Sequence, residues 1–123
     1  MAKFRFSERR HFIRAQVTMD VLCARQDQVK WLDVFIARSK NICKRGIFVE
    51  TEELVPPARE VYIQFNLANI AYHFRVNSKV IWNSADDIIR GIGLLFTDIG
   101  PKYEQMIEHY VLRHYDFRSP SKF

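Results

Sequence analysis

The hydrophobic positions in the first half of the chain follow the two-residue period of half-buried β-strands. Apolar residues occupy every second position over residues 15–23, and a second run spans residues 29–37. The apolar residues that share one face of this second run are Leu32, Val34 and Ile36. A third strand is expected at residues 47–49, and the intervening residues 38–45 are expected to form a loop. The pattern therefore predicts three strands in this half.

The second half begins with a connection and continues with three further strands. Residues 52–60 contain Pro56-Pro57, which cannot lie in a central strand. Two alternating runs follow, at residues 61–67 and 72–76, joined by a hairpin turn at residues 66–69, where asparagine tolerates the required backbone angles. The second run is expected to continue through residues 80–82 across a bend near Asn77-Ser78. Residues 91–96 predict a last strand, whose glycines permit bending or close backbone approach.

The periodicity changes after Gly100 to that of an amphipathic helix. Pro101 suits the first turn of such a helix. Its apolar stripe, with members three or four residues apart, consists of Tyr103, Met106, Ile107, Tyr110, Val111 and His114. Because no helical pattern separates the strands, the sequence predicts a mainly β fold, a small antiparallel barrel closed by one C-terminal helix. Residues 1–8 are polar or basic around two phenylalanines and are expected to form a flexible N-terminal arm.

Length and charge limit the number of domains and the class of partner. A chain of 123 residues fits one domain, which we place at residues 9–115, with a C-terminal tail at residues 116–123. The 19 lysines and arginines outnumber the 14 aspartates and glutamates, so the net charge is +5. This excess favours an anionic partner and leaves nucleic acid, nucleotide and acidic membrane open.

The cysteines and the start of the chain indicate a compartment. Cys23 and Cys43 are too far apart for a CxxC redox pair, and two cysteines do not make a four-ligand zinc motif, so a reducing cytosol is the simplest setting. No apolar segment follows the charged N-terminal residues as it would in a secretory signal. No stretch approaches the ~18 apolar residues that a membrane span needs. We therefore expect a soluble, cytoplasmic protein without a membrane span.

Three arginines, Arg9, Arg10 and Arg14, precede the first predicted strand. Guanidinium is planar and always charged, and its fork matches two phosphate oxygens at once, so paired arginines suit a phosphodiester. A basic run taken alone is more often a solvated surface. The arginines alone therefore do not identify a site.

A second candidate is the segment at residues 41–46, NICKRG. Asn41 carries both a donor and an acceptor, the pair needed to read a base edge, and Gly46 permits a backbone conformation closed to other residues. Taken alone, the segment is better explained as an asparagine-containing turn with a glycine at positive φ.

Together, the order and spacing of the two motifs resemble the PilZ domain, the bacterial receptor for cyclic di-GMP. That family carries RxxxR in an arm before its first strand and (D/N)xSxxG in a later loop between strands. The matching segments here are residues 10–14, RHFIR, and residues 41–46, NICKRG. Residues 80–82 and 91–96 are similar to the family's late strand pair. The resemblance covers residues 9–113, nearly the whole chain.

The resemblance implies a six-stranded antiparallel β-barrel of PilZ type, with a flexible N-terminal arm that folds over the ligand. In that arrangement Arg10 and Arg14 hold the phosphates and stack on guanine, and Arg9 is a third contact. Asn41 reads a guanine edge, and Gly46 shapes the loop. A ligand with two phosphates and two flat purines independently suits guanidiniums that both pair and stack.

The chain departs from the family at Cys43, where the family has serine. A thiol is a weaker donor and acceptor than a hydroxyl. Losing one such hydrogen bond costs ~0.5–1.5 kcal/mol, roughly a factor of two to twelve in affinity, so we expect weakened but retained binding. Cys43 is alternatively a small buried apolar residue. Lys44 and Arg45 beside it would lower its thiol pKa, but no histidine is placed to make it a nucleophile.

These observations favour a ligand sensor rather than an enzyme. No metal, cofactor or catalytic residue is expected, since the four histidines form no zinc motif. Cyclic di-GMP would order the arm, and the changed surface would engage a bacterial effector protein that the sequence does not identify, in motility, biofilm or polysaccharide control.

Two alternatives stay open: a degenerate PilZ adaptor that works through protein contacts without nucleotide, and a single-stranded nucleic-acid-binding barrel, the least favoured. Homodimer formation also stays open.

Overall fold

The computed structural model describes residues 14–25, 34–53, 55–67, 73–85 and 90–114. Within these ranges lie seven strands and one helix: β1 (Arg14–Gln16), β2 (Asp20–Arg25), β3 (Val34–Cys43), β4 (Gly46–Glu50), β5 (Glu60–Phe65), β6 (Phe74–Ala85), β7 (Arg90–Asp98) and α1 (Pro101–His114). The predicted arm at residues 1–8 and the tail at residues 116–123 lie outside the described residues, so the domain boundaries stay predictions.

Six of the strands close into an antiparallel barrel. Hydrogen-bonded neighbours follow the order β1-β3-β2-β5-β6-β7-β4, and β4 also pairs with β3, which closes the circle. β1 lies outside the circle and pairs with the C-terminal end of β3. The predicted mainly β barrel is therefore confirmed, with one strand more than the six of the barrel itself.

Helix α1 packs into the same apolar core as the inward side chains of the barrel. Its buried residues are Ile107, Tyr110 and Val111. Tyr103 and Met106 pack against the core from partly exposed positions, and Pro101 is the first residue of the helix. The predicted stripe is confirmed at these positions but not at its last member, His114, which is exposed. No helix in the described ranges is long and apolar enough to cross a membrane.

The run at residues 15–23, predicted as one strand, divides into β1 and β2. The pairing with β3 advances four residues from Gln16 to Asp20 but only three on β3, from Asn41 to Arg38. One extra residue is thus inserted, as in a β-bulge. The predicted alternation nevertheless persists on both sides of the break, because the buried positions are Ala15, Val17, Val21 and Cys23.

The predicted loop at residues 38–45 is mostly strand. β3 continues to Cys43, and only Lys44 and Arg45 form the turn before β4. The predicted inward face was also wrong, because Ile36 is 67% exposed, whereas Ala37 is buried in the core. Leu32 lies outside the described residues. The strand was hidden because its buried positions carry small or polar residues in place of an apolar alternation.

The remaining strand predictions agree with the structure where it describes them. β6 is continuous over Phe74–Ala85 and shifts register between Asn77 and Ser78, where a bend was expected. The last predicted strand is β7. Half of the predicted hairpin turn, residues 68 and 69, lies outside the described residues. The expected late strand pair is thus formed by β6 and β7, which pair antiparallel.

Cys23 makes the stability of the barrel sensitive to alkaline pH. Its side chain is fully buried, and burial raises the pKa of its thiol from the ordinary 9.0 to about 12. The unfolded chain therefore loses this proton at lower pH than the folded chain, so the free energy of unfolding falls as the pH rises through that window. Urea unfolding at about pH 8 and about pH 11 should show a larger loss for the wild type than for Cys23→Ala. Equal losses would contradict this assignment.

Candidate ligand-binding site

A β-bulge in β3 decides which face Asn41 and Cys43 occupy. The pairing with β4 advances two residues from Ser39 to Asn41 but only one residue on β4. Bulges of this kind re-aim the side chains that follow them. As a result Ile42 enters the barrel core, and its neighbours Asn41 and Cys43 point to the outer face.

Strand pairing brings partners to both residues on this outer face. Arg14 of β1 lies directly opposite Cys43, and Phe48 of β4 lies directly opposite Asn41. The ring of Trp82, from β6, stacks on Phe48 with centroids 4.8 Å apart and an interplanar angle of 18°. Cys43, Phe48 and Trp82 form an apolar group of their own, separate from the barrel core. We call Arg14, Asn41, Cys43, Phe48 and Trp82 the outer-face cluster.

Two glycines of β7 make room for the aromatic pair. A Cβ added at Gly93 would overlap the Trp82 indole, and one added at Gly91 would overlap the carbonyl oxygen of Val49 and lie 2.9 Å from Cζ of Phe48. The two rings therefore lie directly on the β7 backbone. The expected close backbone approach at these glycines is confirmed.

Gly46 is required for a different reason from the predicted one. No glycine in the described ranges has a positive φ, so Gly46 does not supply a backbone conformation closed to other residues. A Cβ at this position would instead overlap the carbonyl oxygen of Leu94 in β7. The missing side chain lets β4 and β7 approach where the Lys44–Arg45 turn enters β4.

The outer-face cluster contains two buried donors and one buried acceptor that lack hydrogen-bond partners among the described residues. They are Nη1 of Arg14, Nε1 of Trp82 and Oδ1 of Asn41, and Arg14 and Asn41 are each only 7% exposed. Burial lowers the pKa of the Arg14 guanidinium, and the nearby Cys43 sulfur partly opposes this effect, but the group keeps its charge. An unpaired buried polar group costs ~1–3 kcal/mol. A ligand offering an anionic oxygen and an N–H donor would satisfy the Arg14 and Asn41 atoms.

Cys43 is a buried thiol without the features of a nucleophile. Burial raises its pKa, although the backbone N–H groups of Arg45 and Gly46 and the charge of Arg14 lower it in part. The predicted lowering by neighbouring cations is therefore wrong, because burial outweighs it. The thiol packs with Phe48 and Trp82, as expected of a small buried apolar residue.

An ion pair connects the turn beside the outer-face cluster to the C-terminal helix. Nζ of Lys44 lies 3.2 Å from Oε2 of Glu108 in α1, and α1 also packs against β1 and β3. The helix therefore contacts both strands that contribute Arg14, Asn41 and Cys43.

Four of the predicted site residues come together here: Arg14, Asn41, Cys43 and Gly46. The other two, Arg9 and Arg10, lie outside the described residues. Sequence reasoning did not place Phe48 or Trp82 in the site. For Phe48 a signal was present, because a large aromatic residue between the inward-facing Ile47 and Val49 must point outward.

Comparison with family models and curated proteins gives one match. A model described as the PilZ domain matches residues 8–113. No curated protein matches the chain.

Solved structures that share the fold include three bacterial proteins. The Bacillus subtilis inhibitor of motility MotI has a TM-score of 0.71 at 17% identity, covering 85% of this chain and 50% of MotI. The PilZ domain of Escherichia coli YcgR with cyclic di-GMP has a TM-score of 0.65 at 14% identity, covering 86% of this chain and 91% of that domain. Borreliella burgdorferi PlzA in complex with cyclic di-GMP has a TM-score of 0.61 at 12% identity, covering 89% and 44%. The chain thus spans half of MotI and less than half of PlzA.

Proposed function

This chain belongs to the PilZ domain family, whose model matches residues 8–113, and from that premise we propose that it is a receptor for cyclic di-GMP. The observation that carries the proposal is the buried guanidinium of Arg14 beside the buried amide oxygen of Asn41, each with an atom unpaired among the described residues. The first suits a phosphate oxygen, and the second suits an N–H donor on a guanine edge. Cyclic di-GMP carries both groups.

Each site residue has a distinct role in this proposal. Arg14, with Arg10 and Arg9 from the preceding segment, holds the phosphates and stacks on guanine. Asn41 accepts hydrogen bonds from the guanine edge through Oδ1. Gly46 keeps the turn close to β7. The solved YcgR and PlzA complexes with cyclic di-GMP share the fold, which supports this choice of ligand.

We further propose that ligand binding is converted into an altered contact with a bacterial effector protein. In this proposal residues 1–8 act as an arm that becomes ordered over the bound ligand. The surface that the protein presents to a partner then depends on whether the ligand is bound. The proposed output is motility, biofilm or polysaccharide control, and the similarity to an inhibitor of motility supports the first of these. The expected site of action is the cytoplasm.

Replacing Cys43 with serine is expected to strengthen binding. A hydroxyl is a better donor and acceptor than a thiol, and the position faces the backbone N–H groups of Arg45 and Gly46 as well as Arg14. One restored hydrogen bond corresponds to a gain in affinity of roughly two- to twelvefold. Cys23→Ser is the matched control, since Cys23 is equally buried but belongs to the barrel core. Weaker binding by Cys43→Ser would contradict this role for Cys43.

Titration calorimetry with cyclic di-GMP tests the proposal, with cyclic di-AMP as the matched ligand. Adenine lacks the N1–H and N2 amino donors that Asn41 Oδ1 would accept from guanine, and it carries its amino group at C6, where guanine has a carbonyl oxygen. We therefore expect binding heat with cyclic di-GMP and much weaker binding with cyclic di-AMP. No heat with cyclic di-GMP at micromolar concentrations would overturn the proposal. Equal binding of both ligands would show that Asn41 does not distinguish guanine from adenine.

One observation favours a second candidate, the degenerate adaptor that acts without nucleotide. Cys43, at the family's serine position, packs into the apolar group with Phe48 and Trp82. This candidate predicts that a pulldown recovers the same effector with and without cyclic di-GMP. Under the receptor proposal, recovery changes when the ligand is added.

A further inference from the structure

Ser39 holds together the break between β1 and β2. Its hydroxyl accepts a hydrogen bond from the backbone N–H of Met19 at 2.9 Å and donates one to the carbonyl of Val17. The backbone N–H of Ser39 also donates to the carbonyl of Met19 at 2.9 Å. A single side chain thus pairs two backbone groups that the inserted residue takes out of the regular ladder.

This junction is one of the contacts that hold β1 in place, together with the hydrogen bond from the Val17 N–H to the carbonyl of Lys40 at 3.1 Å and the packing of α1 on β1. β1 has three residues, Arg14–Gln16, and its strand pairing within the described ranges is with β3 alone. Val17, which accepts the hydrogen bond of the Ser39 hydroxyl, follows the last residue of β1 directly. In a strand this short, paired along one edge, removing one of these contacts lowers the fraction of molecules in which the strand is docked. The same strand carries Arg14 to its position opposite Cys43.

We propose that Ser39 is a positioning residue for ligand binding, because its hydroxyl docks β1 on β3 and so holds Arg14 in the outer-face cluster. This inference rests on the proposed function. Ser39 is itself buried, at 2% exposure, and acts through Arg14 without touching the ligand. If β1 is docked in only a fraction of the molecules, the apparent affinity falls in proportion to that fraction.

Ser39→Ala is the test variant, and the structure offers a matched control in Ser78→Ala. Ser78 is also buried, also lies at a register shift, and its hydroxyl donates to the carbonyl of Val61 at 2.6 Å on the β5–β6 side. Both variants should unfold at lower urea concentration than the wild type. Only Ser39→Ala is expected to weaken cyclic di-GMP binding, by about tenfold, as expected if about a tenth of the molecules keep β1 docked. If Ser39→Ala does not fold, Ser39→Cys, which keeps a slightly larger donor and acceptor group but weakens the hydrogen bonds, should bind cyclic di-GMP less tightly than the wild type, by less than about tenfold.

A double-mutant cycle separates positioning from a general loss of stability. If Ser39 acts through Arg14, the variant carrying both Arg14→Ala and Ser39→Ala binds as weakly as Arg14→Ala alone. If the losses of affinity from Arg14→Ala and Ser39→Ala add up in the double variant, the inference is wrong. It is also wrong if the wild type binds cyclic di-GMP and Ser39→Ala binds it as tightly as Ser78→Ala does. A wild type that does not bind would instead overturn the proposed function. Faster amide exchange at residues 14–16 in Ser39→Ala than in Ser78→Ala would then still show that the hydroxyl docks β1.

Discussion

Replacing Arg14 with alanine is expected to weaken cyclic di-GMP binding by roughly thirtyfold to several thousandfold, which corresponds to about 2–5 kcal/mol for removing one partner of a buried charge pair. Arg14 is 7% exposed, and its Nη1 has no hydrogen-bond partner among the described residues. The side chain is therefore available to a phosphate without first breaking an internal pair at that atom. Titration calorimetry of the variant measures the loss.

Arg75→Ala is the control for loss of one positive charge. Arg75 lies on β6, where its Nε donates to Oε1 of Gln64 at 3.2 Å on an exposed surface, so its removal should change the affinity by less than about twofold. Arg14→Ala should also stay folded, since alanine leaves no buried cation behind. A folded Arg14→Ala protein that binds as tightly as the wild type would show that the ligand site is elsewhere.

Replacing Gly46 with alanine is expected to lower both stability and affinity. The added Cβ would overlap the carbonyl oxygen of Leu94, and a backbone atom cannot move aside as a flexible side chain can. We expect a loss of about 1–3 kcal/mol in the free energy of unfolding, as for other overpacked sites. The turn beside Cys43 would shift with β4, so ligand affinity should fall as well. Urea unfolding and calorimetry measure the two effects.

Gly100→Ala is the matched control for this substitution. A Cβ at Gly100 would meet nothing within 4 Å. Gly100 precedes the first residue of α1, where alanine caps a helix less well than glycine, so the loss in the free energy of unfolding should stay below about 1 kcal/mol and ligand affinity should not change. If Gly46→Ala were as stable as Gly100→Ala, the close approach of β4 to β7 would not be what Gly46 provides.

The alternation of apolar residues was sufficient to predict the barrel, but not the limits of β3. Most strands carry their apolar residues on the inward face, and the apolar stripe of α1 could likewise be predicted from its spacing. In β3 the buried positions include Ser39 and Asn41, and their burial depends on hydrogen bonds and bulges that a periodicity does not encode. Ile36 completed an apolar pattern in the sequence, yet it lies on the outer face of the barrel.

The candidate site likewise contains residues that the sequence predicted and residues that it did not. Arg14, Asn41, Cys43 and Gly46 belong to two motifs whose spacing the sequence displays, and pairing of β1 with β3 brings them together. Phe48 and Trp82 join them through the neighbouring strands β4, β7 and β6. Such neighbours follow from the order of strands in the barrel, which no local pattern reveals. The sequence therefore predicted the polar half of the outer-face cluster and missed the aromatic half.

Nitrogen–proton correlation spectra recorded during titration with cyclic di-GMP test most directly whether the outer-face cluster is the ligand site. We predict that the side-chain amide of Asn41, the backbone amide of Gly46 and the indole N–H of Trp82 shift as the ligand is added. The side-chain amide of Gln64, on β5, should stay in place. Shifts confined to β2 and β5, with unchanged signals from the outer-face cluster at saturating ligand, would contradict the account.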